Sequence, residues 1–162
     1  MIFVTVGTQL PFPRLCDAMD ELAPELGTSV FMQTGDPTST YPNVEHQAGL
    51  TPTEYNQYMN QASLVVSHAG TGTIFAALTR GLPVIVIPRL AEQQEHRNDH
   101  QLATVKRLAH LPGLVVVQDV ATLKPVITRL LAETRPSARL GQNANQDMIS
   151  ALRQVVEQAL QS

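Results

Sequence analysis

Short apolar runs alternate along the chain with segments in which apolar residues recur every three or four positions. The runs predict buried strands, and the spaced pattern predicts amphipathic helices that pack on them. The predicted strands cover 2–6, 29–33, 44–47 (weakly), 63–66, 83–87 and 114–117. The predicted helices cover 15–26, 73–79, 102–109, 121–131 and the tail, and a further helix is capped at Thr51 or Thr53. Pro24 is expected to end or kink the first of them.

Continuously apolar strands that alternate with helices are typical of a parallel sheet covered on both faces. The sequence therefore predicts a Rossmann-like α/β fold with right-handed crossovers. The 162 residues fit a single domain, 1–162, with a helical tail from about residue 136. In such sheets ligands bind beyond the carboxyl ends of the strands, so the loops at that edge are the candidate sites.

Composition argues against several classes of protein. The net charge is -3 and only 15% of residues are charged, which leaves no basic excess to attract nucleic acid or an anionic membrane. Cys16 is the single cysteine, and its apolar surroundings predict a packed, reduced thiol. No apolar run reaches membrane-spanning length and no leader pattern stands at the start. We therefore expect a cytoplasmic protein.

The segment SHAGTGT follows an apolar strand and precedes an apolar helix. Two glycines leave its backbone open, and the N–H groups of a helix start attract anions, so a phosphate or diphosphate fits there. The expected contacts are Gly70, Thr71, Gly72 and Thr73. Thr71 can instead cap the helix, and the glycines can instead form a tight turn. His68, which ends the strand, is expected as a contact and not as a base.

The glycine spacing departs from the dinucleotide-binding fingerprint. Phe75 stands where a third glycine is needed, and no acidic residue ends the strand at Ile87. A nicotinamide-dependent oxidoreductase is therefore the less favoured alternative. The turn at Gly7 and Thr8, after the first strand, offers a second set of N–H groups to the same ligand.

A third loop, EQQEHRNDHQ, places ten polar residues at the opening of a helix. Its carboxylates and amides can hydrogen-bond sugar hydroxyls, and its arginine can neutralise a phosphate. The candidate sugar- and nucleotide-binding residues are Glu95, Arg97, Asn98, Asp99, His100 and Gln101. A metal held by His96 and His100 with Glu92 or Asp99 is one alternative, and a solvated helix start is the other. We expect no metal.

Three segments, FVTVGTQLPF, LVVSHAGTGTIFAAL and PRLAEQQEHRNDHQLATV, resemble the soluble subunit of two-part glycosyltransferases of glycosyltransferase family 28. The resemblance covers most of residues 1–110. One branch of this group contains bacterial exopolysaccharide and capsule transferases, to which EHRNDHQ is quite specific. The other contains the eukaryotic dolichol-pathway N-acetylglucosaminyltransferase.

The resemblance implies the C-terminal, nucleotide-sugar-binding lobe of a GT-B transferase. The donor would be a UDP-sugar, used without a cofactor, and a hexose or hexuronic acid would pass to a lipid-linked saccharide. A membrane-attached partner subunit would carry the acceptor site and the general base, and would hold this chain at the inner membrane face. The diphosphate would lie on residues 70–73, with Gly7 and Thr8 beside it.

Two points stay open at this stage. Ala76 stands where the single-chain relative has a ribose-binding glutamate, so the ribose contacts must come from elsewhere. A regulatory subunit that binds a nucleotide sugar without performing chemistry is the alternative to a transferase.

Overall fold

The computed structural model describes residues 1–8, 10–90 and 100–133, together with residues 150, 153 and 154. Within them, the strands are β1 Ile2–Thr5, β2 Val30–Gln33, β3 Glu45–Gln47, β4 Leu64–His68, β5 Val84–Ile87 and β6 Leu114–Val116. The helices are α1 Pro13–Leu22, α2 Pro52–Gln61, α3 Thr71–Leu78, α4 His100–Leu108 and α5 Leu123–Glu133. The predicted α/β fold is confirmed, whereas the predicted tail helix lies mostly outside the described residues.

All strand pairs of the sheet are parallel, and the strand order is β3-β2-β1-β4-β5-β6. The chain adds β2 and β3 on one side of β1 and then crosses to β4 on the other side. β1 and β4 pair directly, with Thr5 opposite Ser67. The connections therefore change direction between these two strands, which opens a crevice at their carboxyl ends.

Both faces of the sheet are covered by helices. Val4 of β1 faces the core that includes Leu15 of α1 and Ile127 of α5. Phe3, one position earlier, faces the opposite core, with residues of α2, α3 and α4. Because both faces of β1 are buried, its first three residues are all apolar instead of alternating with polar ones.

One predicted helix feature is confirmed and two differ from the structure. The first helix ends at Leu22 and continues as a 3-10 turn at Ala23–Glu25, as expected from Pro24. Ala109 was expected to face inward, but it is exposed and Leu108 is buried instead. The fifth helix begins later than expected, because Asp119 accepts a hydrogen bond from the Ala121 N–H and starts a 3-10 turn at Val120–Thr122.

α2 begins with a capping box. Thr51 Oγ1 accepts a hydrogen bond from the Glu54 N–H at 3.2 Å, and the Glu54 carboxylate accepts one from the Thr51 N–H at 2.8 Å. Pro52 occupies the first helical position, where no N–H is needed. Two of the N–H groups at this helix start are therefore satisfied locally.

Replacing the cap residue should destabilise the fold measurably. Thr51→Ala removes the acceptor for the Glu54 N–H, and we expect the free energy of unfolding to fall by about 1 kcal/mol. Urea unfolding followed by circular dichroism measures this change. Thr53→Ala is the matched control, since Thr53 is exposed in the same helical turn. Equal effects of the two changes would contradict the role of the cap.

Candidate functional site

A cleft of about 730 Å³ lies at the carboxyl ends of β1 and β4. The turn after β1 lines one side, and the start of α3 lines the side opposite. The start of α2 extends the cleft further, with Leu50, Pro52, Tyr55 and Asn56. The cleft thus lies where the reversal of the sheet connections predicts a ligand site.

The start of α3 is open to this cleft. Gly70 is the N-cap residue, and it has no side chain with which to cap the helix. The first helical hydrogen bond runs from the Ile74 N–H to the Gly70 carbonyl oxygen at 3.1 Å. The N–H groups of residues 71–73 therefore precede the helical ladder, at the positive end of the helix dipole. The alternative in which Thr71 caps the helix is wrong, because Gly70 occupies the cap position.

The glycines of the cleft serve different purposes. Gly7 has a φ of +79°, and a Cβ there would lie 2.7 Å from His68 Nε2. A Cβ at Gly70 would collide with the same ring. Gly72, in contrast, has no atom of the described residues, outside its own helical turn, within 4 Å of the position that a Cβ would take. Packing therefore explains glycine at positions 7 and 70, whereas the open space at Gly72 is available to a ligand.

His68 fills the gap between the two sides of the cleft. Ser67 Oγ lies 3.1 Å from Nδ1 of the ring and donates to the His68 carbonyl oxygen at 2.9 Å. Burial lowers the pKa of His68 to about 4, and the positive charge of Arg89 acts in the same direction, against a hydrogen bond with the Thr5 backbone. The ring is therefore neutral at pH 7 and packs the cleft without adding charge to it.

The sequence interpretation missed Arg89, which follows β5 and also lines the cleft. Only 2% of its surface is exposed. Its guanidinium donates hydrogen bonds to the carbonyl oxygens of Val6, Leu10 and Pro11 at 2.7, 2.5 and 2.6 Å. The available signal was an arginine placed directly after an apolar strand, at the edge where ligands bind.

Two polar strand ends that the sequence interpretation also missed form part of the cleft lining. Thr5 Oγ1 donates to Gln33 Oε1 at 2.5 Å, and both side chains are buried. The signal was a polar residue at the carboxyl end of each otherwise apolar strand. A mutual hydrogen bond removes most of the cost of burying these groups.

The cleft brings together the predicted residues of two loops, and the third loop is not described. The predicted residues that line it are Gly7, Thr8, His68, Gly70, Thr71, Gly72 and Thr73. Those outside the described residues are Glu92, Glu95, His96, Arg97, Asn98 and Asp99. Of His100 and Gln101 only the backbone is described, at the start of α4.

Among the described helices, none is long and apolar enough to cross a bilayer.

Comparison with protein families gives one match. The description "Glycosyltransferase family 28 C-terminal domain" fits residues 1–159. No curated protein sequence matches the chain significantly.

Several solved structures share the fold. SsfS6, a glycosyltransferase of Streptomyces sp. SF2575 complexed with thymidine diphosphate, is 20% identical with a TM-score of 0.57, over 99% of this chain and 41% of its own. ALG13 is 18% identical with a TM-score of 0.57, over 82% and 86% of the two chains. MurG of Acinetobacter baumannii is 20% identical with a TM-score of 0.57, and the match covers 94% of this chain and 49% of the MurG chain. The chain thus spans less than half the length of SsfS6 and of MurG.

The buried His68 predicts a specific pH dependence of stability. Its pKa of about 4 in the folded chain lies below the ordinary value of 6.5. Protonation therefore favours the unfolded chain, so this contribution to stability is complete above pH 6.5 and is lost as the pH falls towards 4. Relative to His68→Asn, the wild type should lose about 1–2 kcal/mol more between pH 6.5 and pH 5.

Urea unfolding at a series of pH values measures this difference. His110→Asn is the control, since His110 is exposed, and its curve should follow that of the wild type. Parallel curves for the wild type and His68→Asn would show that the ring is not held neutral by its surroundings.

Proposed function

Since this chain belongs to glycosyltransferase family 28 as its C-terminal domain, we propose that it is the donor-binding half of a UDP-sugar-dependent glycosyltransferase, with residues 1–162 as one nucleotide-sugar-binding domain. The observation that carries the proposal is the uncapped start of α3, which faces the turn after β1 across the cleft. N–H groups at an open helix end are suited to a diphosphate.

The diphosphate would lie over Gly72, where the structure leaves open space. The N–H groups of residues 71–73 would bind it from one side, and the turn at Gly7 and Thr8 would flank it on the other. As the bond to the sugar breaks, negative charge develops on the departing UDP, and preorganised N–H groups stabilise that charge. The thymidine diphosphate in SsfS6, a protein of the same fold, supports a nucleoside diphosphate as the ligand.

The nucleoside would occupy the part of the cleft beside α2. The volume of about 730 Å³ is within the range of small-molecule sites, and apolar and amide side chains stand together there. Ala76 offers no polar atom to a ribose, so we assign the ribose contacts to Gln33, Tyr55 and Asn56. All three line the cleft.

The sugar and the acceptor complete the proposal. The sugar would face the loop residues Glu95, Arg97, Asn98, Asp99, His100 and Gln101. A membrane-attached partner subunit would bind a lipid-linked saccharide, supply the general base and hold the chain at the inner membrane face. The transferred group would be a hexose or hexuronic acid, in exopolysaccharide or capsule biosynthesis. The 86% coverage of ALG13, a chain of comparable length, is compatible with a separate donor-binding subunit.

Gly72→Ala tests the anion site without disturbing the packing. The new methyl group meets no atom of the described residues outside its own helical turn, and alanine favours a helix more than glycine does, so the stability should not fall. The same methyl group would occupy the approach of the diphosphate, so we expect UDP affinity to fall at least about tenfold. Calorimetric titration with UDP in EDTA measures the affinity, and thermal unfolding measures the stability.

Gly49→Ala is the matched control for this experiment. Gly49 is exposed and equally uncrowded, and it does not line the cleft. It should bind UDP as the wild type does. If Gly72→Ala also binds UDP as tightly as the wild type, the diphosphate does not lie on the start of α3.

The two-subunit part of the proposal predicts a dependence on membranes. The purified chain, given UDP-glucuronic acid, UDP-galactose or UDP-N-acetylglucosamine with lipid-linked acceptor, should transfer no sugar. Adding the membrane fraction of a strain that lacks only this chain should restore transfer, and Gly72→Ala should reduce it. Radiolabelled sugar in the lipid extract measures the product. Full turnover by the chain alone would overturn the need for a partner.

A further inference from the structure

We propose that Arg89 is a positioning residue that holds the turn after β1 in the shape in which it binds the diphosphate. This inference rests on the proposed function of the cleft. The argument uses the contacts of the Arg89 guanidinium, its burial, and its effect on a neighbouring side chain.

The contacts of Arg89 reach both ends of the turn. The guanidinium donates to the carbonyl oxygen of Val6 at the start of the turn, and to those of Leu10 and Pro11 at its end. These residues lie 78 to 83 positions before Arg89 in the chain. A planar guanidinium with five N–H donors can reach several acceptors in fixed directions, which an ammonium group cannot do equally well. Arg89 therefore joins the two ends of the turn through a single rigid group.

This contact also sets the direction of an N–H group in the cleft. The Val6 carbonyl and the Gly7 N–H belong to one trans peptide unit, so they point in opposite directions. Holding the carbonyl against Arg89 therefore fixes the direction of the Gly7 N–H, which donates a hydrogen bond to Thr5 Oγ1 at 3.3 Å. The Arg89 contacts also direct three carbonyl oxygens towards the positive charge of the guanidinium. These oxygens would repel a phosphate if they faced it.

The burial of Arg89 makes this arrangement rigid. A guanidinium that is 2% exposed is tolerated only when its donors are satisfied, so the carbonyl contacts and the Arg89 side chain depend on one another. The ring of Phe12 lies 4.7 Å from the guanidinium carbon and adds a cation–π contact. Movement of the turn would therefore leave buried donors without acceptors.

The charge of Arg89 extends to the anion site. It lowers the pKa of His68, whose ring lies against both Gly7 and Gly70. The same positive charge would act favourably on a diphosphate bound beside this ring, over Gly72. Arg89 would thus contribute in two ways, through the shape of the turn and through its charge.

Two substitutions separate these contributions. Arg89→Met removes both, and we expect UDP affinity to fall about tenfold, the size expected for losing a hydrogen bond to a charged group. Arg89→Lys keeps the charge but cannot join both ends of the turn, so its loss should be smaller. Uridine affinity should be unchanged in both, because uridine has no diphosphate. Titrations of UDP and uridine followed by NMR measure the affinities.

Arg14→Met is the matched control. Arg14 also lies near the Phe12 ring, at 5.3 Å, but it donates hydrogen bonds to the carbonyl oxygens of Pro88 and Gln118 and none of the described ones goes to the turn. The Arg14→Met variant should have the same ratio of UDP affinity to uridine affinity as the wild type. A parallel loss of UDP and uridine affinity in both Arg89 variants would indicate general destabilisation and overturn the positioning role.

Hydrogen exchange gives a readout that needs no ligand. The amides of Gly7, Thr8 and Leu10 should exchange faster in Arg89→Met and Arg89→Lys than in the wild type or Arg14→Met, at equal circular dichroism. Unchanged exchange would overturn the inference, even if UDP affinity falls. If the wild type binds no UDP, the proposed function fails, and the exchange rates still decide whether Arg89 holds the turn.

Discussion

The parallel pairing of β1 with β4 is the constraint on which the cleft depends. It places Thr5 opposite Ser67, so the chain leaves both strands at the same edge and the two turns face each other. The His68 ring fills the gap between them and lies so close to Gly7 and Gly70 that neither position accepts a side chain. The two sides of the candidate site are therefore held in place by the pairing of β1 with β4 and by the packed His68 ring, without the help of a ligand.

A glycine-rich loop is weak support for ligand binding when packing already explains its glycines. Gly7 and Gly70 are explained in this way, because each lies against the His68 ring. Gly72 is not, since the position of its absent Cβ is open. The case for an anion site therefore depends on Gly72 and on the uncapped helix start beside it, more than on the number of glycines.

The sequence predicted the local features well because local residues decide them. The strands and the cap at Thr51 follow from apolar runs and a capping box, all within a few residues. The pairing of β1 with β4 and the role of Arg89 follow instead from contacts about 60 and about 80 residues apart, which no local pattern encodes. His68 was correctly placed at the end of a strand, but the position of its ring between Gly7 and Gly70 follows only from the pairing of β1 with β4.

A crystal structure of the chain soaked with UDP in the presence of EDTA is the most direct test of the central claim, that the start of α3 and the turn after β1 hold a diphosphate. The account predicts density for the two phosphates over Gly72, within hydrogen-bond distance of the N–H groups of residues 71–73 and of the turn at Gly7 and Thr8. UDP bound elsewhere on the chain, or bound in this cleft with its phosphates beside α2, would contradict it.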